Sequence, residues 1–207
     1  IDILRFNYDK QNYKEALAIC DETLQLAPYV ANYWGNKGIV LEQMNNKPAA
    51  IEAYEKALNY DKTKFDARNK IRTLKGQKDI FSIFPAADYY EMIKSAKPEQ
   101  YKEHPYFFIL DEKQKVVYAD GASEQYITFV IRINNQKGID EWKESSVGYN
   151  ENNQTLVIEK AEVVKRSGAK TTAEQSGNQL VFTGLEAGDA IIIRYKLQEY
   201  QYGQLSD

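Results

Sequence analysis

The sequence is poor in the residues that covalent and metal chemistry need. Its 207 residues hold one cysteine, Cys20, and one histidine, His104. A single cysteine excludes an intrachain disulfide framework, and no cysteine-based metal spacing is present. No apolar run approaches the roughly 18 residues a membrane-spanning helix requires. Neither sign of charge dominates: 27 basic and 30 acidic side chains leave a net charge of −3. That balance argues against a general nucleic-acid binder, which needs a basic patch to neutralise phosphates. A phosphate loop is absent too, because "GLEAGDA" lacks the lysine and the serine or threonine of that pattern. The chain opens on Ile1 without a visible signal peptide and closes on "EYQYGQLSD". Both ends read as cuts in a longer protein.

What is present is an apolar fraction of 43%, enough for a real core, and 16 tyrosines. Tyrosines in such numbers serve sugar or peptide binding, or simply strand and helix packing. The length suits one large domain or two modest ones.

The first part of the chain repeats itself at an offset of 34 residues. Asn12 falls on Asn46, Ala16 on Ala50, Cys20 on Tyr54 and Leu24 on Leu58. Such a period fits one helix–turn–helix unit that cannot bury its apolar face alone. Gly38 and Ala50 are small enough for two helices to approach closely. Trp34, Leu41, Tyr54 and Leu58 supply the bulk of the seam, and Ala57 permits contact with a following unit.

Trp34, Gly38, Leu41, Ala50, Tyr54 and Ala57 stand at the spacing of the tetratricopeptide repeat, which this stretch resembles. Lys37 and Lys62 depart from the pattern. One full repeat covers about 30–62, preceded by a second helix over 12–27 and a remnant of a first helix over 1–8. A closing helix begins at Phe65 and is stopped by Gly76. The helices are expected to continue N-terminally, since about three units are needed for stability.

The resemblance implies a concave face lined by the first helix of each repeat. Here it comprises Asn32, Gly35, Ile39, Glu42 and Gln43, with Arg5 and Tyr8 in the preceding unit. Asn32, Ile39, Glu42, Gln43, Arg5 and Tyr8 are the candidate partner-binding residues. Some members of the family hold a peptide's terminal carboxylate with lysine and asparagine, but Gly35 and Ile39 stand where those groups belong. Peptide binding and simple spacing of neighbouring domains both remain open.

After residue 78 the period changes. A short helix over 86–95 precedes Pro98, and strand signals follow. "YFFIL" and "KVVYA" read as strands. In "EQYITFVIRIN" the residues Ile127, Phe129, Ile131 and Ile133 alternate with Tyr126, Thr128, Val130 and Arg132, which gives one strongly apolar face. "TLVIEKAEVV", "NQLVFTGL" and "DAIIIRYKLQEY" bring the total to about six strands, with "KRSGAK" as a turn. Short turns between them fit an antiparallel sandwich or a curved sheet. In "GLEAGDAIIIRYKL", Gly184 and Gly188 free a corner, Leu185 plugs the core and Asp189 bonds the turn.

From about residue 85 onward the chain resembles a bacterial domain of unknown function. The marks are "ILDE", "YITFVIRINNQKGIDEW" read as a strand, "VGYN" and the Leu185–Gly188–Asp189 corner, with Ser167–Gly168 replacing the usual Asp–Gly turn. That family precedes transglutaminase-like domains in secreted or envelope proteins. The resemblance implies a periplasmic or envelope location and a papain-like catalytic unit downstream. The family domain runs longer, so a C-terminal cut is expected.

No catalytic, cofactor or metal residue is assigned in this fragment. Cys20 occupies a seam position, where a thiol is inert, and His104 sits in a loop before Pro105. The acid pairs Asp111–Glu112 and Asp140–Glu141 read as solvated faces. The expectation is an α + β chain: tetratricopeptide-type helices over 1–78 and an antiparallel β-sandwich-like domain over 79–207. Its function is that of a non-catalytic interaction or scaffold fragment, whose partners are a protein, a peptide or neighbouring domains. A glycan-binding module is the alternative, resting on Tyr106, Tyr118, Trp142 and Tyr149 as stacking faces.

Overall fold

The computed structural model describes residues 3–200. They form two compact units, divided between Ser82 and Ile83. The first is all helical: α1 (Ile3–Asp9), α2 (Tyr13–Leu26), α3 (Ala31–Gln43), α4 (Lys47–Tyr60) and α5 (Phe65–Leu74).

The repetition seen in the sequence is also written in the helix ends. Gln11 and Asn45, equivalent residues, take left-handed backbone angles of φ 60° and 58°, and Gly76 does the same at 68°. Each follows an odd-numbered helix. Asn12 N–H donates to the Asn7 carbonyl, Asn46 N–H to Leu41 and Gln77 N–H to Arg72, all at 2.9 Å. These six-to-one bonds are Schellman closures, which satisfy carbonyls that a helix end leaves orphaned. Asn46 then caps α4, its Oδ1 accepting from Ala49 N–H at 3.3 Å.

Small residues opposite large ones set the helix spacing. Ala50, Ala53, Tyr54, Leu41 and Ala67 form one buried cluster, with Trp34, Leu17 and Leu58 against it. A Cβ added to Gly38 would lie 2.6 Å from Tyr54 Cε1, so α3 and α4 are as close as glycine allows. The Tyr54 hydroxyl is tied to Glu42 Oε2 at 2.9 Å, which resists displacement of the ring.

The second unit holds α6 (Tyr89–Ser95), β1 (Tyr106–Val117), β2 (Ser123–Ile133), α7 (Gln136–Trp142), β3 (Glu144–Ser146), β4 (Gln154–Val164), β5 (Lys170–Thr172), β6 (Glu174–Ser176), β7 (Gln179–Val181) and β8 (Ala190–Glu199). Five strands make an antiparallel sheet in the order β1-β2-β8-β4-β5, and three make a second in the order β3-β7-β6. Both contribute to one core: Ile131, Ile133, Val163, Ile191 and Ile193 come from the large sheet and Leu180 from the small one. The sandwich expected from the strand spacing is therefore present, with eight described strands rather than six.

Three local readings change. "YFFIL" and "KVVYA" are one strand, joined through charged residues and bent by a bulge at Ile109. The stretch after Asn135 is not strand but helix α7. Asn135 caps it by accepting from Gly138 N–H at 3.3 Å, and Gly138 lies so close to the Pro105 carbonyl that a Cβ would sit 2.1 Å from its oxygen. The first helix of this unit starts at Tyr89 rather than 86, because Asp88 caps it by accepting from Tyr90 and Glu91 N–H at 3.1 Å.

Gly38→Ala is expected to destabilise the helical unit by about 1–2 kcal/mol, as overpacking does. This loss would appear despite the gain of about 1 kcal/mol in helix propensity. Denaturant unfolding followed by helical circular dichroism measures it, and an increase in stability would show that Tyr54 is free to move.

Candidate functional site

The first helices of successive hairpins, α1 and α3, flank a groove of about 260 Å³ lined by Leu4, Arg5, Tyr8, Asn36, Ile39 and Val40. Helix periodicity puts Leu4 and Tyr8 on one stripe of α1 and Asn36, Ile39 and Val40 on one stripe of α3. The floor is set by Leu4, Tyr8 and Val40, which pack with buried Ala16 and Cys20. Ile39 stays 40% exposed, and the Arg5 guanidinium reaches out beside Asp9 at 3.8 Å. The groove thus offers an aliphatic surface, a cation and two neutral polar groups.

Of the six candidate residues, Arg5, Tyr8 and Ile39 converge here. Asn32 and Gln43 are exposed at opposite ends of α3. The Glu42 carboxylate is engaged inside the unit, by the Tyr54 hydroxyl and by Lys70 Nζ at 3.0 Å. Leu4, Asn36 and Val40 complete the groove and were not among the sequence candidates. Their signal was present: each lies one helical turn from a residue that was.

The remaining chemistry-bearing residues are placed plainly. Cys20 is 2% exposed, and burial, then the nearby Asp21 carboxylate, push its thiol up to about 11. His104 is exposed in its loop. Among the described residues no cluster of histidine, cysteine, aspartate or glutamate could hold a metal ion. No described helix is long and apolar enough to cross a membrane.

The four aromatics proposed as sugar platforms are all half-buried. Tyr106 and Trp142 meet edge-to-face at 5.4 Å against the sandwich core. The Tyr118 hydroxyl donates to Glu124 Oε1 at 2.5 Å. Tyr149 packs on the core, its hydroxyl 3.4 Å from Glu151 Oε1. The rings of Tyr106 and Trp142 are thus used inside the molecule.

The second face of the large sheet carries a polar arrangement that sequence reasoning missed. At one end Val130, Val164, Ala190 and Ile192 pack with Ile93 of α6. Beyond them lie ionic pairs. Glu124, fully buried, is bound by Lys196, by Gln198 Nε2 at 2.9 Å and by Tyr118. Arg194 donates through Nη1 to Thr128 Oγ1 and to the Tyr89 hydroxyl, both at 3.0 Å, and through Nε to Glu159 at 3.3 Å. Alternate charged residues on β2 and β8 were the available signal. Burial alone would raise the Glu124 carboxyl, but hydrogen bonds from Gln198, Lys196 and Tyr118 hold it below its usual value.

The corner before β8 is locked in the same manner. Asp189, 1% exposed, accepts from Lys165 Nζ at 2.7 Å, from Glu186 N–H at 2.9 Å and from Arg166 N–H at 3.3 Å. Leu185 is buried beside it, as the corner motif implied.

Residues 119–181 match a family described as Domain of Unknown Function with solved-structure structure (DUF3857). The match runs from the β1–β2 turn through β7, inside the stretch that carries the resemblance. A solved structure from Parabacteroides distasonis ATCC 8503, described provisionally as a protease, is 20% identical with a TM-score of 0.44. The likeness covers 48% of this chain and 24% of that one, a span too small to carry an argument on function. No curated protein matches the sequence.

A folded-state pKa held below the unfolded value gives stability that is present above the unfolded value and lost as pH falls through the folded one. The unfolded reference for Glu124 is 4.5. Glu124→Gln is expected to cost about 3 kcal/mol at pH 7, because Lys196 is left without its buried partner. Its stability should then fall less steeply than that of the parent chain below pH 4.5. Thermal unfolding across that range checks this, and parallel profiles would remove Glu124 as the source of the acid sensitivity.

Proposed function

We propose that this fragment is a non-catalytic interaction module whose helices, read as tetratricopeptide-type repeats, bind an extended or helical segment of a protein. The observation that carries the reading is the groove between α1 and α3. There Arg5, Tyr8 and Ile39, chosen from the repeat register, line one cavity with Leu4, Asn36 and Val40. Aliphatic floor plus neutral polar rim suits a segment with one apolar anchor, and a carboxylate on that segment would share Arg5 with Asp9. The expected affinity lies in the micromolar range, since the groove is small.

In this reading the β unit supports a neighbouring domain of the same envelope protein, a transglutaminase-like unit by resemblance. The matched family and the firmly locked Asp189 corner support a rigid, structural part of that kind. Cys20, raised to about 11, is a poor nucleophile at neutral pH, which also favours a fragment without chemistry of its own.

Panning a displayed library of random twelve-residue peptides on the 207-residue chain tests the reading. Enriched peptides should bind the Ile39→Lys variant at least about tenfold more weakly, the loss expected when a charge enters an apolar anchor site. No enrichment above a blank surface, or equal binding to the variant, removes the groove from consideration. Turnover of a generic peptide amide that disappears in Cys20→Ala or His104→Ala would overturn the non-catalytic reading.

A further inference from the structure

The order of the large sheet leaves β1 at its edge, a strand of 12 residues with no strand beyond it among the described residues. Its free backbone groups can be assigned. Tyr118 N–H donates to the Ala122 carbonyl at 2.8 Å, and the pairing continues from there as Lys115↔Gln125, Lys113↔Ile127 and Asp111↔Phe129. Hydrogen-bonded pairs alternate along an antiparallel ladder. The peptide groups of Glu112, Gln114 and Val116 therefore turn toward β2, and those of Asp111, Lys113, Lys115 and Val117 turn outward.

The side chains beside this edge are charged and ordered. Asp111, Lys113 and Lys115 share the face of Ile127 and Phe129 and are exposed. Asp111 lies near Tyr195, and Lys115 reaches Glu199 at 3.9 Å. On the opposite face Glu112 keeps one oxygen, Oε2, buried without a hydrogen-bond partner. A buried carboxylate oxygen of that kind is completed by a donor.

We infer that the free edge of β1 receives an extended segment of a partner protein, added antiparallel. That segment carries acidic residues opposite Lys115 and Lys113 and basic or amide residues opposite Glu112 and Asp111. The outward peptide groups give the main-chain bonds, and the charge order gives direction and selectivity. A second copy of this chain is a poorer match. Antiparallel self-pairing about Lys113 or Glu112 sets that residue against itself, so one like-charge pair stays at the centre even where Asp111 meets Lys115 or Lys113, and pairing about Gln114 sets Lys113 against Lys115 on both sides. The inferred segment meets every one of these charged positions with an opposite charge or an amide. The lysines that repel a like edge are also what an acidic strand recognises. This site is separate from the helical groove and does not depend on it.

The test uses the full chain and two synthetic ten-residue peptides. One has Glu opposite Lys115 and Lys113 and Lys opposite Glu112 and Asp111; in the other those charges are exchanged. The first should bind and slow amide exchange at Asp111, Lys113, Lys115 and Val117 by about tenfold near saturation. The second should bind about tenfold more weakly, given four reversed cross-strand pairs. Lys113→Glu with Lys115→Glu should narrow or invert that order. Lys113→Pro, which removes one outward N–H from an edge where proline is tolerated, should weaken the first peptide in a chain that still unfolds cooperatively. Equal binding of both peptides, or binding without protection of the four amides, overturns the inference. So does protection that grows with chain concentration alone, which would make a second copy the occupant.

Discussion

The pairing of β2 with β8 governs the β unit, because both strands are covered on both faces. Ten consecutive residue pairs hold them together. On one face the rows are aliphatic and aromatic, and they meet the small sheet. On the other the rows begin aliphatic, under α6, and become ionic. A slip of one residue would send Ile127, Ile131 and Ile193 into the ionic side and Glu124 into the core. The buried ion pair therefore excludes that slip at an energetic cost far above anything the pair contributes to net stability.

The helical unit reaches definition by a different route. Its cores are small and built largely of alanine, tyrosine and leucine. Precision comes instead from repeated closures at Gln11, Asn45 and Gly76, each fixing where one helix stops and the next direction begins. Only the last of the three is glycine, so at the first two the tertiary contacts must hold a non-glycine residue in left-handed conformation. Close approach at Gly38 then sets how α3 and α4 meet. A groove between α1 and α3 is a by-product of this geometry, and its shape is as constrained as the closures are.

Much of this was legible from the chain. The offset of 34 residues located the hairpins, and the alternation of Ile127, Phe129, Ile131 and Ile133 located the central strand and its inner face. The Asp189 corner was readable because Leu185, Gly188 and Asp189 stand together in sequence and Asp189 accepts from Glu186 N–H three positions back, whereas its bonds to Lys165 and Arg166 span more than twenty positions and were not readable. What escaped detection depends on long-range register. Glu124 finds Gln198 across 74 positions of chain, so the alternating polar residues of each strand announce a polar row but not which groups meet in it. The strand β1 was split because an edge strand carries charges that interrupt the hydropathy signal. The helix α7 was read as strand because the contact that seats it, Gly138 against the Pro105 carbonyl, involves a residue thirty-three positions earlier. The strands β3, β5, β6 and β7 have three residues each, too few for a period to register. In the groove, Arg5, Tyr8 and Ile39 followed from the repeat register, whereas Glu42 was lost to Tyr54 and Lys70, an arrangement set by α4 and α5 rather than by α3 itself.

The seam position of Cys20 has a practical side. Its sulfur is enclosed by Ala16 and Val40 and resists deprotonation, so oxidants and alkylating reagents find almost no thiolate to attack. A cysteine engineered anywhere on the surface would then be the sole reactive thiol of the chain. Fluorophores, spin labels or crosslinkers could be attached at one chosen position with the natural cysteine left in place.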